Sequence, residues 1–292
     1  MSNETIRMIA LDLDRTTLKS DGTIPERTCS ALNRAGEMGV DIVIATGRVL
    51  AALPDSLSEL KYIKYCICSN GAAVFRFNSG SSELELMYEK CLEPEAVEVM
   101  TGYVKEKDYM FESFTGGRAY IDRKYYDLVD KGLLMDRSRD YVINTRTPVE
   151  DIFSFTLSHK DRIENLNVFF PDQKEKERFM PLLAAIPDST LTSSLPSNYE
   201  LGGEGVSKGA ALKYLMDEEG ISSENLMAAG DSPNDITMLK LAGISVAVGD
   251  AEDQVKQVCS YIAPACEDAG VGEAVERFVL SLPDVHNGDM RL

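Results

Sequence analysis

Tryptophan is absent from this 292-residue chain, and histidine occurs only twice, at His159 and His286. Two scattered histidines exclude a multi-histidine metal centre, and they supply no convincing base for a serine or cysteine nucleophile. The six cysteines (29, 66, 68, 91, 259 and 266) include no C-x-x-C pair. They read as reduced packing residues of a cytoplasmic protein, with Cys66 and Cys68 on one face of a strand. No apolar run approaches the roughly 18–20 residues that cross a bilayer. Residues 1–10 lack the basic head and apolar stretch of a signal peptide. No repeat, low-complexity tract or Lys/Arg run interrupts the sequence, and 30 basic residues face 48 acidic ones for a net charge of −18. Such a chain repels nucleic acid and anionic membranes, so neither is an expected partner.

What is present is ordinary globular composition, 44% hydrophobic and 27% charged. At roughly 100–200 residues per domain, the length suggests about two domains, each able to bury a core. Residues 6–13 read as a buried strand ending in an acidic turn, and residues 25–38 have helical spacing with Gly39 as a stop. Residues 40–45 form a second β-branched run, closed by Thr46-Gly47-Arg48. A further helix pattern and a strand at 65–69 follow. Strands alternating with helices indicate a parallel sheet.

After Gly71 the pattern changes. Residues 72–77 and 84–88 flank the polar turn NSGSS and predict a hairpin. Strand-like runs at 109–115, 118–121 and 166–170 then alternate with helices near 94–107, 123–131 and 173–185, which suggests an α+β insert. From residue 206 the first rhythm resumes, with helix 206–220, strand 226–229, helix 235–242 and strand 245–248. The expected organisation is an α/β core of residues 1–83 and 191–292, interrupted by an insert at 84–190.

The acidic residues that carry chemistry fall at strand ends. Asp12 and Asp14 follow the first strand, and Asp231 and Asp235 follow strand 226–229. In open α/β sheets, ligands bind outside the carboxyl ends of the strands. Carboxylates gathered there repel one another unless a cation sits among them, and Mg²⁺ suits such oxygen donors together with a substrate phosphate. A carboxylate can itself attack phosphorus, and a second carboxyl two residues on can protonate the leaving oxygen and then activate water. Asp12 and Asp14 fit these two roles. Thr46 offers a hydroxyl and a backbone N–H to a phosphoryl group, and Lys208 offers a point charge. A calcium loop of the EF-hand type is excluded, because Thr17 stands where its glycine belongs and Thr23 where its final glutamate belongs.

Asp12-Leu-Asp-Arg-Thr-Thr-Leu, Ala45-Thr-Gly-Arg48, Val206-Ser-Lys-Gly209 and Gly230-Asp-Ser-Pro-Asn-Asp235 together resemble the four motifs of the haloacid dehalogenase superfamily. Asn70-Gly71-Ala72, the segment 242–248 and Asp268-Ala-Gly-Val271 resemble its Cof-like phosphatase branch. That resemblance implies a doubly wound, Rossmann-like parallel sheet with an inserted α+β cap domain that selects substrate. It implies a Mg²⁺-dependent phosphomonoester hydrolase acting on a small phosphorylated metabolite, a sugar phosphate or phosphorylated cofactor. Asp12 would be the nucleophile and Asp14 the acid/base. Asp12, the Asp14 carbonyl and Asp231 would hold the metal, with Asn234 and Asp235 in support. Thr46, Gly47 and Lys208 would bind the phosphoryl group.

The family pattern D-x-D-G-T is broken here, since Arg15 replaces the glycine and Thr17 an apolar residue. If φ is positive at residue 15, arginine costs on the order of 1 kcal/mol there. Two other readings stay open, a phosphomutase of the same superfamily and a catalytically weak phospholigand-binding protein. Arg48 reads equally as a functional residue of the site or as only a surface or domain-interface residue, and Asn70-Gly71 as a turn dipeptide or a substrate contact. Within the insert, Arg118, Tyr120, Arg123 and Lys124 are candidates for contacting substrate, Arg118 foremost.

Overall fold

The computed structural model describes residues 5–77, 84–133 and 139–281. Its strands are β1 (Met8–Leu11), β2 (Asp41–Ala45), β3 (Ile63–Cys68), β4 (Ala73–Phe77), β5 (Leu84–Glu89), β6 (Met110–Thr115), β7 (Arg118–Asp122), β8 (Arg146–Val149), β9 (Asn165–Phe169), β10 (Ser189–Thr192), β11 (Asn198–Gly203), β12 (Leu226–Gly230), β13 (Ile244–Ala247) and β14 (Tyr261–Ile262). They form an eight-stranded sheet in the order β14-β13-β12-β1-β2-β3-β4-β5 and a six-stranded sheet in the order β10-β11-β9-β6-β7-β8.

The larger sheet is parallel from β14 through β3 and antiparallel at β4 and β5. Its central strands are apolar without alternation, and every residue of β1 and β12 is buried, as required of strands covered by helices on both faces. The helix Glu26–Glu37 buries Thr28, Ala31, Leu32 and Ala35, a spacing of three, one and three that makes one face. Ser207 caps the helix Lys208–Glu219 by accepting from the Ala210 N–H, and Gly220 ends it in the left-handed conformation. The chain leaves β1 toward β2 on one side and returns to it through β12 on the other. The crevice between β1 and β12 is therefore the topological switch point, where an open α/β sheet binds its ligand.

The smaller sheet alternates. Phe111, Leu166, Val168 and Leu201 pack against Val97, Met100 and Phe179 from helices on one face. Its other face carries Glu112, Asn167 and Glu200 in register across β6, β9 and β11. All three are buried, and Asn167 and Glu200 line the cavity described below.

The expected α/β core with an α+β insert is the observed architecture. The sheets, however, exchange the chain later than composition suggests. β5 belongs to the larger sheet, whereas β10 and β11 belong to the smaller one. We therefore propose an insert from about residue 90 to about 205, in place of 84–190. The hairpin strands pair as expected, and the NSGSS turn between them lies outside the described residues. The helix expected after Arg48 is instead two short 3₁₀ turns, Leu50–Ala52 and Asp55–Glu59. Pro54 separates them, because it holds Leu53 extended and lacks an amide donor. Cys66 and Cys68 do share a buried face, with their sulfurs 3.5 Å apart.

Candidate active site

Asp12 leaves β1 with its N–H donating to the Ala229 carbonyl of β12, which fixes it at the switch point. Lys208, at the start of its helix, points its ammonium into the same crevice. Its Nζ donates to Asp12 Oδ1 at 2.5 Å and to Asp235 Oδ1 at 2.7 Å, and all three residues are buried. Asp235 Oδ2 accepts from the backbone N–H groups of Asp231 and Ser232, so this carboxylate shapes the 231–235 loop. Ser232 completes a capping box with Asp235.

Buried negative charge exceeds positive charge in this cluster. Burial pushes the Asp12 carboxyl well up; Lys208 opposes this, and Asp235, Asp231 and Asp14 add to it. Asp231 is pushed up to about 6 by burial and by Asp235, against Arg15, Ser232 and Lys208. Burial works to lower the Lys208 pKa, but Asp12 and Asp235 outweigh it and the ammonium is held more firmly than usual.

The turn after Asp12 bends through Arg15, whose φ is +63°. This is the left-handed conformation for which the family pattern keeps glycine. Arg15 Nη1 lies 3.3 Å from Asp231 Oδ2, and its Nη2 donates to the Asp250 carbonyl at 3.2 Å. The second departure also has a contact of its own, since the buried Thr17 hydroxyl donates to the Asp12 carbonyl at 2.6 Å. Asp14 is half-exposed and gripped by Arg48, with Nη2 to Oδ1 at 2.5 Å and Nε to Oδ2 at 2.9 Å. Arg48 lies between core and insert and also lines the cavity described below. Its guanidinium also stacks 4.7 Å from the Tyr141 ring of the insert.

Thr46 is buried at the end of β2, where its hydroxyl accepts from the Arg48 N–H. Its own N–H, expected to face a phosphoryl group, is instead spent on the Ile67 carbonyl at 2.8 Å, because the sheet pairing with β3 runs one residue past β2. Asn70 donates its N–H to the Thr46 carbonyl. Ser69, Asn70 and Gly71 turn together through φ values of +49°, +57° and +106°. Gly71 is obligatory for a second reason, because a Cβ there would stand 2.2 Å from the Ser207 carbonyl oxygen. Loss of that close approach would push the turn away from Lys208.

A cavity of about 930 Å³ opens between the two sheets, lined by Asp12, Asp14, Arg15, Gly47, Arg48, Asp231 and Asn234 from the core. Asp140, Tyr141, Asn144, Arg146, Asn167, Ser194 and Glu200 line it from the insert. Arg118 is not among the lining residues; it lies exposed at the start of β7, opposite Thr115. Nor are Tyr120, which stacks on Phe155, Arg123, which pairs with Glu150, and Lys124, which pairs with Asp108. Sequence reasoning favoured exposed cations near the glycine pair. It passed over Asn167 and Glu200, whose signal is a polar residue interrupting a buried apolar strand. Asn70 and Gly71 sit just behind the cavity wall, and the Asn70 amide is engaged by Asn234 and Glu200.

The donor set fits a hard cation. Asp12, Asp231 and Asp235 each place a carboxylate oxygen within 4.8 Å of the others. The Asn234 Oδ1 is buried without a hydrogen-bond partner at the same cavity. An all-oxygen set with surplus negative charge suits Mg²⁺ better than a softer metal.

A family model described as haloacid dehalogenase-like hydrolase matches residues 9–275. The chain belongs to this family. It is 28% identical over 275 residues to the 5-amino-6-(5-phospho-D-ribitylamino)uracil phosphatase YcsE of Bacillus subtilis (strain 168), covering 94% of this chain and 96% of that one. It is 28% identical over 265 residues to the pyridoxal phosphate phosphatase YbhA of Escherichia coli (strain K12), covering 86% and 91%. The solved structure of a haloacid dehalogenase-like hydrolase from B. subtilis superposes with a TM-score of 0.82 at 25% identity, covering 94% of this chain and 100% of that one. These relatives bear out the expected family, fold and enzyme class, a phosphatase. No helix among the described residues is long and apolar enough to cross a membrane.

Proposed function

We propose that this haloacid dehalogenase-like chain is a cytoplasmic, Mg²⁺-dependent phosphomonoester hydrolase that forms an aspartyl-phosphate on Asp12. The observation that carries the reading is the buried Asp12–Lys208–Asp235 triad beside Asp231 at the switch point, opening on a cavity that the insert covers. Lys208 restrains the Asp12 carboxylate, and the Thr46 hydroxyl and the Gly47 N–H supply donors to the phosphoryl oxygens. Asp12 attacks phosphorus as the ester P–O bond breaks, and the Asp14 carboxyl gives its proton to the leaving oxygen. Asp14 then takes a proton from water, which attacks the same phosphorus and frees Asp12 and inorganic phosphate. Asp12, the Asp14 carbonyl and Asp231 would hold Mg²⁺, which when bound supplies charge neutralisation for the phosphoryl oxygens.

The insert acts as the cap in this reading. Its polar floor and the two relatives' substrates point to a small hydroxylated or heterocyclic phosphate ester as the substrate class. The test is phosphate release from sugar phosphates, nucleotides, pyridoxal phosphate and p-nitrophenyl phosphate, with Mg²⁺, with excess chelator, and with D12N in place of wild type. Release that requires both metal and Asp12 is expected. Release that survives either loss refutes the mechanism.

A further inference from the structure

The cap reaches the catalytic loop through one buried chain of hydrogen bonds. Glu200, on β11, accepts from the Asn70 Nδ2. The Asn70 Oδ1 in turn accepts from the Asn234 Nδ2 at 2.9 Å. Glu200, Asn70 and Asn234 are each more than nine-tenths buried. The other Glu200 oxygen accepts from Asn198 Nδ2 at 2.9 Å and from the Ser194 hydroxyl. A carboxylate only accepts, so it dictates how each amide downstream must face. Asn70 turns its NH₂ to Glu200 and its oxygen to Asn234. Asn234 must then spend its NH₂ on Asn70, which leaves its own buried oxygen unpartnered at the cavity, three residues along from Asp231.

We propose that Glu200 and Asn70 are positioning residues, a polarity relay through which the docked cap fixes the Asn234 oxygen toward the catalytic carboxylates. The backbone supports the assignment. Asn70 holds φ +57° inside a run of three left-handed residues, and its N–H is tied to Thr46, so its side chain has little freedom to seek other partners. A second cap carboxylate, Glu164, accepts from the Ser69 hydroxyl at 2.7 Å, so cap residues grip the turn at two adjacent positions. With the cap away, Glu200 leaves, both amides are free to flip, and the site is incomplete. The catalytic part of this inference rests on the phosphatase reading; the relay itself does not.

The test is a polarity swap in the full chain, comparing wild type, N70D, E200Q and N70D/E200Q. Two readouts are taken: hydrolysis of p-nitrophenyl phosphate, and the Tm shift on adding MgCl₂ to metal-free protein. N70D sets two carboxylates against each other, and kcat is expected to fall roughly 10–100-fold with a smaller change in KM, as for other residues that orient a site from behind. E200Q puts its NH₂ against either Asn70 or Asn198 and falls between. In N70D/E200Q every bond returns. The amide introduced at position 200 donates to the carboxylate introduced at position 70, while its oxygen keeps Asn198 and Ser194. The carboxylate at position 70 still accepts from Asn234. The double variant should recover kcat to within about threefold of wild type and restore the Mg²⁺-induced shift. A double variant no better than N70D overturns the relay, as does an N70D that matches wild type. Should N70D alone not fold, the double variant must still exceed E200Q in both readouts, and the relay fails if it does not. If wild type hydrolyses nothing, the phosphatase reading fails, and the order of the Mg²⁺-induced shifts decides the relay by itself.

Discussion

Lys208 and Asp12 touch, yet removing their charges should move stability in opposite directions. The crevice holds one ammonium against the carboxylates of Asp12, Asp235 and Asp231, so it carries surplus negative charge in a site shielded from water. K208M deletes the compensating cation, strands two buried carboxylates and keeps the side-chain length. Removing one partner of a buried pair costs about 3–5 kcal/mol. At about 2–4 °C per kcal/mol for a chain near this size, the Tm should fall by roughly 10 °C. D12N does the reverse. The Asp12 carboxyl is pushed up by burial, so its ionised form opposes folding at neutral pH, and Lys208 keeps Asp235 as a partner. Its Tm in excess chelator should equal or exceed that of wild type, while phosphate release is lost. The assay is thermal unfolding at pH 7.5 without metal, with circular dichroism to verify the fold. If K208M were as stable as wild type, or if D12N fell by as much as K208M, the account of the site as a negatively overcharged cluster would be wrong.

Three further outcomes are expected. G71A forces a Cβ against the Ser207 carbonyl and holds alanine at φ +106°; it should cost about 2–4 kcal/mol, read as a drop in urea midpoint, and an unchanged midpoint would contradict the close approach. R15G relieves the left-handed arginine but loses a half-exposed ion pair, so stability should change by no more than about 1 kcal/mol. Half-maximal phosphate release should then need less Mg²⁺, because a positive charge beside Asp231 is gone, and an unshifted Mg²⁺ titration would show that Arg15 does not oppose the metal. The third concerns Glu164, whose carboxyl burial raises above its usual value despite donors from Gly117 and Ser69. The folded state therefore holds that proton more tightly than the unfolded one. Its contribution is fully present below the unfolded value near 4.5 and is lost as pH climbs through the raised value. E164Q should flatten the Tm–pH curve across that window, and parallel curves would exclude the effect.

By itself the sequence determined the local chemistry and the rhythm of the chain. The placement of Asp12, Asp14, Thr46, Lys208 and Asp231 around the crevice was legible because each sits beside a strand end or helix start that apolar periodicity marks without knowledge of any partner. Arg15 stood out only against the family pattern that the neighbouring residues resemble, which keeps glycine there. The roles of Arg48, Asn167 and Glu200 were not legible. Arg48 grips Asp14 across 34 residues of chain and stacks on Tyr141 from the insert, and Glu200 meets Asn70 across 130. Such contacts exist only once the two sheets close over the crevice. The insert's boundaries depended on the same thing: whether β5 or β11 joins one sheet or the other is decided by pairing with distant strands, not by its own composition. Tertiary packing also chose among the cap's polar residues. It left Arg118 exposed and buried Glu200, because alternation along β11 turns Glu200 toward the core while the start of β7 faces solvent.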